Sequence, residues 1–236
     1  MTSNTKIECF EATWNPVTGC TKISPGCKHC YAERLAKRLR TMNNPSYRNG
    51  FDITLHEHLL KLPSRWKKSK SIFVNSMSDL FHEDISVDFV VKVFEIMKEC
   101  PQHRFHVLTK RSERLGLLND RLTWTDNVWL GVTVENADFL YRIEDFRQSS
   151  AKVRFISFEP LLGSIGKIDL SGIAWVVVGG ESGPGARAME GEWATDLRDR
   201  CVEAGIPFFF KQWGGTHRLK CGRLLGGRVW DQMPIR

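Results

Sequence analysis

No stretch of about 18 apolar residues runs anywhere in this 236-residue chain, so no segment reads as a membrane span. The opening Met1-Thr-Ser-Asn-Thr-Lys6 lacks the apolar core of a signal peptide, and a cytosolic protein is expected. In that compartment the seven cysteines are expected to be reduced thiols, and clustered ones favour metal binding or catalysis over disulfides. Low-complexity segments are lacking. So is a Gly-Lys-Ser/Thr phosphate loop: Gly180-Glu-Ser-Gly183-Pro-Gly185 is glycine-rich, but Pro184 removes an amide donor. Acidic residues are in deficit, 27 against 34 Lys and Arg, for a net charge of +7. The basic residues gather in Arg34–Arg40, Arg65–Lys70 and Lys211–Arg228. A polyanionic partner explains such runs, and so does a solvated face.

What is present is a cluster of thiols near the start. Cys20-Thr-Lys-Ile-Ser-Pro-Gly-Cys27-Lys-His-Cys30 carries three cysteines spaced by six residues and then two, while Cys9, Cys100, Cys201 and Cys221 are scattered singly. Ser24-Pro25-Gly26 supplies a tight turn that folds Cys20 back towards the Cys27/Cys30 pair.

The rest of the chain alternates short apolar strands with amphipathic helices. Phe10–Trp14 alternates apolar and polar residues until Asn15-Pro16 ends it. Tyr31–Thr41 reads as a helix with an apolar face of Ala32, Leu35, Ala36 and Leu39. Further strands are expected at Ser71–Asn75, Arg104–Thr109, Asn127–Thr133, Val153–Phe158, Ala174–Val178 and Ile206–Phe210. The helix after the second strand should be capped by Ser86 and bury Val87, Val90, Val91, Phe94 and Met97. Ser112 should cap the next helix, and Gly205 should end the last one. About six to seven such units imply a parallel sheet buried on both faces. The fold class is therefore α/β, a partial (β/α) barrel, with a doubly wound open sheet as the alternative. A chain of this length can bury roughly 70% of its unfolded surface, so residues 1–236 are expected as one domain, with 214–236 a basic, glycine-rich tail or lid.

In such architectures ligands bind at the carboxyl ends of the strands. Those ends here are the three cysteines; Asn75, Ser76, Ser78 and Asp79; Thr109 and Lys110; Thr133, Glu135 and Asn136; Ser157, Glu159 and Pro160; Gly179, Gly180, Glu181 and Ser182; and Lys211, Gln212 and Trp213. Any one could be a helix cap or a solvated loop residue, but their recurrence on one rim marks a site. Ser76, Ser78, Asp79, Thr133, Glu135, Asn136, Gly179, Gly180 and Glu181 are the candidate cofactor-binding residues. Lys110, Glu159, Lys211 and Cys221 are the candidates for catalysis.

Cys20, Cys27 and Cys30 are the candidate metal ligands. A structural zinc wants a fourth protein ligand, which His29 or His82 could supply, although His29 lies in the tight gap between two ligand positions. A four-iron cluster is commonly held by four thiolates, and three would leave one iron open. The spacing alone leaves both open.

The Cys-x6-Cys-x2-Cys loop followed by Tyr31 resembles a variant of the radical S-adenosylmethionine signature, whose common spacing is three then two. The wording of the whole chain is similar to an uncharacterised family found in bacteriophages and prophages. Trp14-Asn-Pro-Val-Thr-Gly-Cys20, Ser76-Met-Ser-Asp-Leu-Phe81, Trp129-Leu-Gly-Val-Thr-Val-Glu135, Phe158-Glu-Pro-Leu-Leu162, Gly179-Gly-Glu-Ser182 and Phe210-Lys-Gln-Trp-Gly214 carry that likeness. The resemblance implies a [4Fe–4S] cluster on Cys20, Cys27 and Cys30, with S-adenosylmethionine chelated at the open iron. It also implies an external electron donor and a 5′-deoxyadenosyl radical. Ser76–Asp79 replaces the superfamily's glycine-glycine-glutamate, Glu135 or Asn136 suits the ribose hydroxyls, and Gly179-Gly180 would allow close backbone approach. A nucleic-acid base or nucleotide is the expected substrate. The rival expectation is a non-catalytic, zinc-stabilised α/β protein that binds nucleic acid.

Overall fold

The computed structural model describes residues 9–216 and 222–234. Strand β1 (Ala12–Trp14) takes the alternating opening stretch, and Pro16 stops it. A small antiparallel pair follows, β2 (Val17–Thr18) against β3 (Thr54–Leu55), with the cysteine loop and α1 (Tyr31–Thr41) between them. Then come β4 (Ser71–Val74), α2 (Val87–Glu99), β5 (Arg104–Thr109), α3 (Ser112–Leu118), β6 (Val128–Thr133), α4 (Tyr141–Arg147), β7 (Val153–Phe158), β8 (Trp175–Gly179), α5 (Gly191–Glu203) and β9 (Phe208–Gln212). A hairpin of β10 (Leu224–Leu225) and β11 (Arg228–Val229) follows. The seven-stranded parallel sheet has the order β1-β4-β5-β6-β7-β8-β9. Chain order equals sheet order, as expected when each strand returns through a crossover to its neighbour's side. Every residue of β6 and β8 is buried, which explains why their sequences, Val-Trp-Leu-Gly-Val-Thr and Trp-Val-Val-Val-Gly, do not alternate. Among the described residues no helix is long and apolar enough to cross a membrane.

The chain divides into two compact units. The first comprises described residues 9–22, 32–131 and 148–153. Its core packs Trp14 against Phe105, and Phe94 edge-on against both Phe81 and Trp124. Ser86 caps α2 as expected, its Oγ accepting from Phe89 N at 3.4 Å. The buried face of α2 differs from expectation: Phe89, Val90, Val93, Phe94, Ile96 and Met97 are inside, while Val87 and Val91 are not fully buried. In so apolar a helix two stripes compete, and the one with the larger side chains faces the core. In α1 the small Ala32 and Ala36 are buried, whereas Leu35 is exposed. Ser112 is the first residue of α3 rather than its cap, and it is buried, with Arg111 in the capping position.

The second unit comprises described residues 23–31, 132–147, 154–216 and 222–234. Trp175 packs on Phe155 and Phe209, and Phe208 on Trp230. Gly205 ends α5 in the left-handed region (φ +66°), with Ile206 N donating back to Cys201 O. The described part of the segment read as a tail or lid lies along β9. Phe210 N donates to Trp230 O at 2.8 Å, and Trp175 Nε1 to Gln232 O at 2.9 Å, which covers an otherwise open sheet edge.

One buried group ties stability to pH. His106, on β5, packs at a tilt against Phe10 and edge-on against Trp129, and its Nε2 lies 2.9 Å from Ser71 Oγ. Burial pushes its imidazole down to about 3, against an ordinary value of about 6.5 when unfolded. The unfolded chain therefore takes up this proton first as pH falls. Its contribution to stability is complete above about pH 6.5 and is lost progressively towards pH 3. Melting temperature is expected to drop over that window, and a His106→Gln variant, which keeps a donor towards Ser71, should flatten the drop when the two are compared by circular dichroism.

Candidate metal and cofactor site

Cys27 and Cys30 lie on a segment of the second unit that is gripped from several sides. Ser24 O accepts from Cys27 N at 2.9 Å, forming the single 3-10 turn Pro25–Cys27 that Ser24-Pro25-Gly26 favours. Ser24 Oγ donates to Glu135 Oε1 at 2.5 Å, and Arg187 Nη2 donates to Pro25 O at 2.8 Å. A Cβ on Gly26 would meet the Glu135 carboxylate at 2.5 Å, so only glycine lets the turn lie this close. On the other side Gly185 (φ +78°) lies against His29, whose ring a Cβ there would approach to 3.1 Å. Gly185 thus serves as a seat for His29.

Two buried carboxylates anchor this grip. Glu135 and Arg142 are almost wholly excluded from solvent, and Arg142 Nη1 donates to Glu135 Oε2 and to Thr133 O, both at 2.8 Å. The Arg142 guanidinium also stacks over Phe139, 4.4 Å from the ring centre. Glu181 accepts from Arg187 through the backbone N, Nε and Nη2. Burial works against the charged form of Glu181, but these Arg187 bonds outweigh it and hold the carboxyl below its ordinary range.

The remaining second-unit candidates also have partners within the chain. Asn136 Oδ1 accepts from Asp138 N and caps a short 3-10 turn. A Cβ on Gly180 would collide with the Trp213 carbonyl, and one on Gly179 would meet the Glu159 carboxylate at 3.4 Å, so both glycines are explained by packing within this unit. Lys211 Nζ and Glu159 Oε2 pair at 2.5 Å. Gln212 is buried with Oε1 unpartnered among the described residues. Cys221 lies outside the described residues.

In the first unit, Cys20 sits beside a buried guanidinium. Arg111 Nη1 donates to Cys20 Sγ at 3.6 Å and to Asp79 Oδ2 at 3.4 Å. Its Nε donates to Glu83, and its Nη2 to Thr21 Oγ1 at 2.9 Å. Asp79 also accepts from Thr109 Oγ1 (2.8 Å), Phe81 N (3.0 Å) and Lys110 N (3.0 Å). His82 Nε2 lies 2.8 Å from Thr21 Oγ1, and its Nδ1 accepts from Asp84 N, so both ring nitrogens are engaged. Burial, then Arg111, keeps His82 below its ordinary pKa and hence neutral. Ser76 Oγ donates to Asn15 Oδ1 and Ser78 Oγ to Val17 O.

Asn75 is different. It follows β4 in the left-handed region (φ +58°), is buried, and neither atom of its amide has a partner among the described residues. A buried amide without partners costs about 1–3 kcal/mol, which a polar ligand would relieve. Arg111, Arg142, Arg187 and Ser24 were not legible as site residues in the sequence, where the one hint was an arginine following the exits of β5, β6 and β8.

The three thiols of the loop are partly exposed, and none is in a disulfide. Among the described residues no three His, Cys, Asp or Glu side chains converge as the shell of a single ion requires. Tetrahedral zinc holds its sulfurs roughly 3.8 Å apart, given a Zn–S distance of about 2.3 Å. In a cuboidal cluster each thiolate binds a different iron, so the donors need not converge on one point. Three thiols free of disulfides are a donor set that a four-iron cluster can take, whereas a structural zinc would need a fourth protein ligand.

Residues 4–234 match the family described as "Protein of unknown function (DUF5131)". The chain belongs to that family. No curated protein matches it. Among solved structures, a spore photoproduct lyase variant with bound AdoMet and dinucleoside spore photoproduct is similar over 90% of this chain and 79% of its own, at 13% identity and a TM-score of 0.55. Spore photoproduct lyase complexed with dinucleoside spore photoproduct is similar over 89% and 78%, at 13% identity and a TM-score of 0.53. Identity this low speaks to fold alone. The fold of this DUF5131 member is thus an α/β partial (β/α) barrel like that of the spore photoproduct lyase structures, as its strand pattern led one to expect.

The buried pair yields a direct test. Arg142→Met leaves the Glu135 charge buried and uncompensated, which should cost about 3–5 kcal/mol. The cost should appear as a lower urea midpoint at unchanged m-value. A Glu135→Met/Arg142→Met double variant should recover part of the loss.

Proposed function

We propose that this DUF5131 member is a cytoplasmic radical S-adenosylmethionine enzyme whose Cys20, Cys27 and Cys30 hold a [4Fe–4S] cluster. The observation that carries this reading is the three-thiol loop following β1, with its Cys27/Cys30 segment gripped by Glu135, Arg187 and Gly185. Three thiols in reduced form, held by a rigid backbone, are a donor set for a cluster with one open iron. The likeness of fold to a protein solved with bound AdoMet supports the same reading.

When bound and supplied with an electron from an external donor, the cluster and S-adenosylmethionine furnish a 5′-deoxyadenosyl radical. The chain's own residues position and shield. Ser24, Glu135 and Arg187 fix the loop backbone so that the thiols need not reorganise. Asn75, with its orphaned amide, is the residue best suited to a polar group of the cofactor, next to Ser76 and Ser78. Asp79 orients Arg111 in the same unit as Asn75, and in the second unit Thr133 and Glu135 orient Arg142 while Glu181 orients Arg187. The Lys211–Glu159 pair can hold or move a proton at Glu159 Oε2.

For the substrate we propose a nucleic-acid base or nucleotide, in keeping with the basic surplus. The dinucleoside ligand of the structural neighbour supports this choice. Part of the surplus is engaged internally, since Lys37 pairs with Glu33, Lys211 with Glu159, and Arg228 stacks on Trp230.

Anaerobically purified protein should be brown, and Cys27→Ala should remove the colour. Reduction in the presence of S-adenosylmethionine should release 5′-deoxyadenosine, measured by liquid chromatography. A colourless protein carrying one stoichiometric zinc would overturn the proposal in favour of a non-catalytic nucleic-acid-binding protein. Binding to DNA or RNA should weaken steeply with salt, because phosphate contacts release counterions. Binding indifferent to salt would remove the nucleic-acid substrate.

A further inference from the structure

We infer that Arg111 is a positioning residue that sets the reduction potential of the cluster through Cys20. The inference rests on the cluster proposed above. Arg111 is a buried guanidinium at the exit of β5, and its donors serve four groups at once: Cys20 Sγ, Asp79, Glu83 and Thr21. The fork is fixed from behind. Asp79 is held by Thr109 Oγ1 and by the backbone N–H groups of Phe81 and Lys110, and it in turn holds Nη1 beside the sulfur. Thr21, next to Cys20 in the chain, takes Nη2 through both its carbonyl and its hydroxyl, so the loop and the guanidinium are registered to each other. His82 steadies the same hydroxyl.

Asp79 and Glu83 could be paired by a lysine ammonium, a compact point charge. Reaching the sulfur, two carboxylates and the Thr21 hydroxyl together needs the planar five-donor fork. Reduction adds one electron to the cluster and its thiolates. A hydrogen bond and a positive charge at a ligating sulfur favour that more negative state, which raises the potential. Because the guanidinium is buried, solvent and salt screen it little. Cys20 thereby differs from Cys27, whose sulfur has the neutral Ser24 hydroxyl at 3.6 Å.

The test is a redox titration, monitored by electron paramagnetic resonance, of the anaerobically reconstituted full chain as wild type, Arg111→Gln and Arg111→Lys. Arg111→Gln should move the midpoint potential to a more negative value. Arg111→Lys keeps a charge but loses the fork, so it should move the potential in the same direction by less. A purely structural role would lower the amount of cluster assembled and leave the potential of the assembled fraction unchanged. A midpoint in Arg111→Gln equal to that of wild type overturns the inference. Should Arg111→Gln assemble no cluster, Arg111→Lys decides: a negative shift supports the inference, and a potential equal to wild type overturns it. A wild-type protein that assembles no cluster fails the proposed function and this inference with it, whereas cluster present at unchanged potential in the variants overturns this inference alone.

Discussion

The interaction on which the second unit's part of the site depends is the buried pair of Glu135 and Arg142. A carboxylate with no exposure survives only with its charge matched and its lone pairs engaged, and Arg142 and the Ser24 hydroxyl together meet both needs. The consequences run outward through the chain. Ser24 begins the turn that carries Cys27, and Gly26 is compelled by the closeness of the same carboxylate. Arg142 reaches back to Thr133 O at the end of β6, so the pair ties α4 and the cysteine turn to one strand terminus.

Three of the residues at the strand exits are acids that act on arginines of their own unit: Asp79 on Arg111, Glu135 on Arg142 and Glu181 on Arg187. Each arginine then reaches a further group: Cys20 Sγ, Thr133 O or Pro25 O respectively. The acid supplies charge balance and the arginine supplies reach, which a short carboxylate lacks. Asn75 is a different case: its side-chain amide has no partner among the described residues, and its backbone occupies a region that few side chains favour. A buried, strained and unsatisfied group is rarely kept for stability.

The second unit's part of these contacts is weighted towards rigidity. Here a 3-10 turn, a glycine under a carboxylate and a glycine against an imidazole leave the Cys27 segment little room to move.

The alternation of apolar strands and amphipathic helices determined the seven-stranded α/β fold by itself, because each strand's burial and each helix's face are local properties of pattern. The spacing of Cys20, Cys27 and Cys30 marked the loop for the same reason, and Ser86 and Gly205 announced their helix ends through local chemistry. The active face of α2 was not legible, since a helix apolar nearly all round carries more than one plausible stripe, and packing of the larger rings chooses. Nor were the partners of the strand-end acids. Glu135 lies seven residues from Arg142 but 111 from Ser24, and Arg111 lies 91 from Cys20. Charge pairing over such separations has no periodic signature. Only the folded chain, by removing water from those charges, decides which of them must meet.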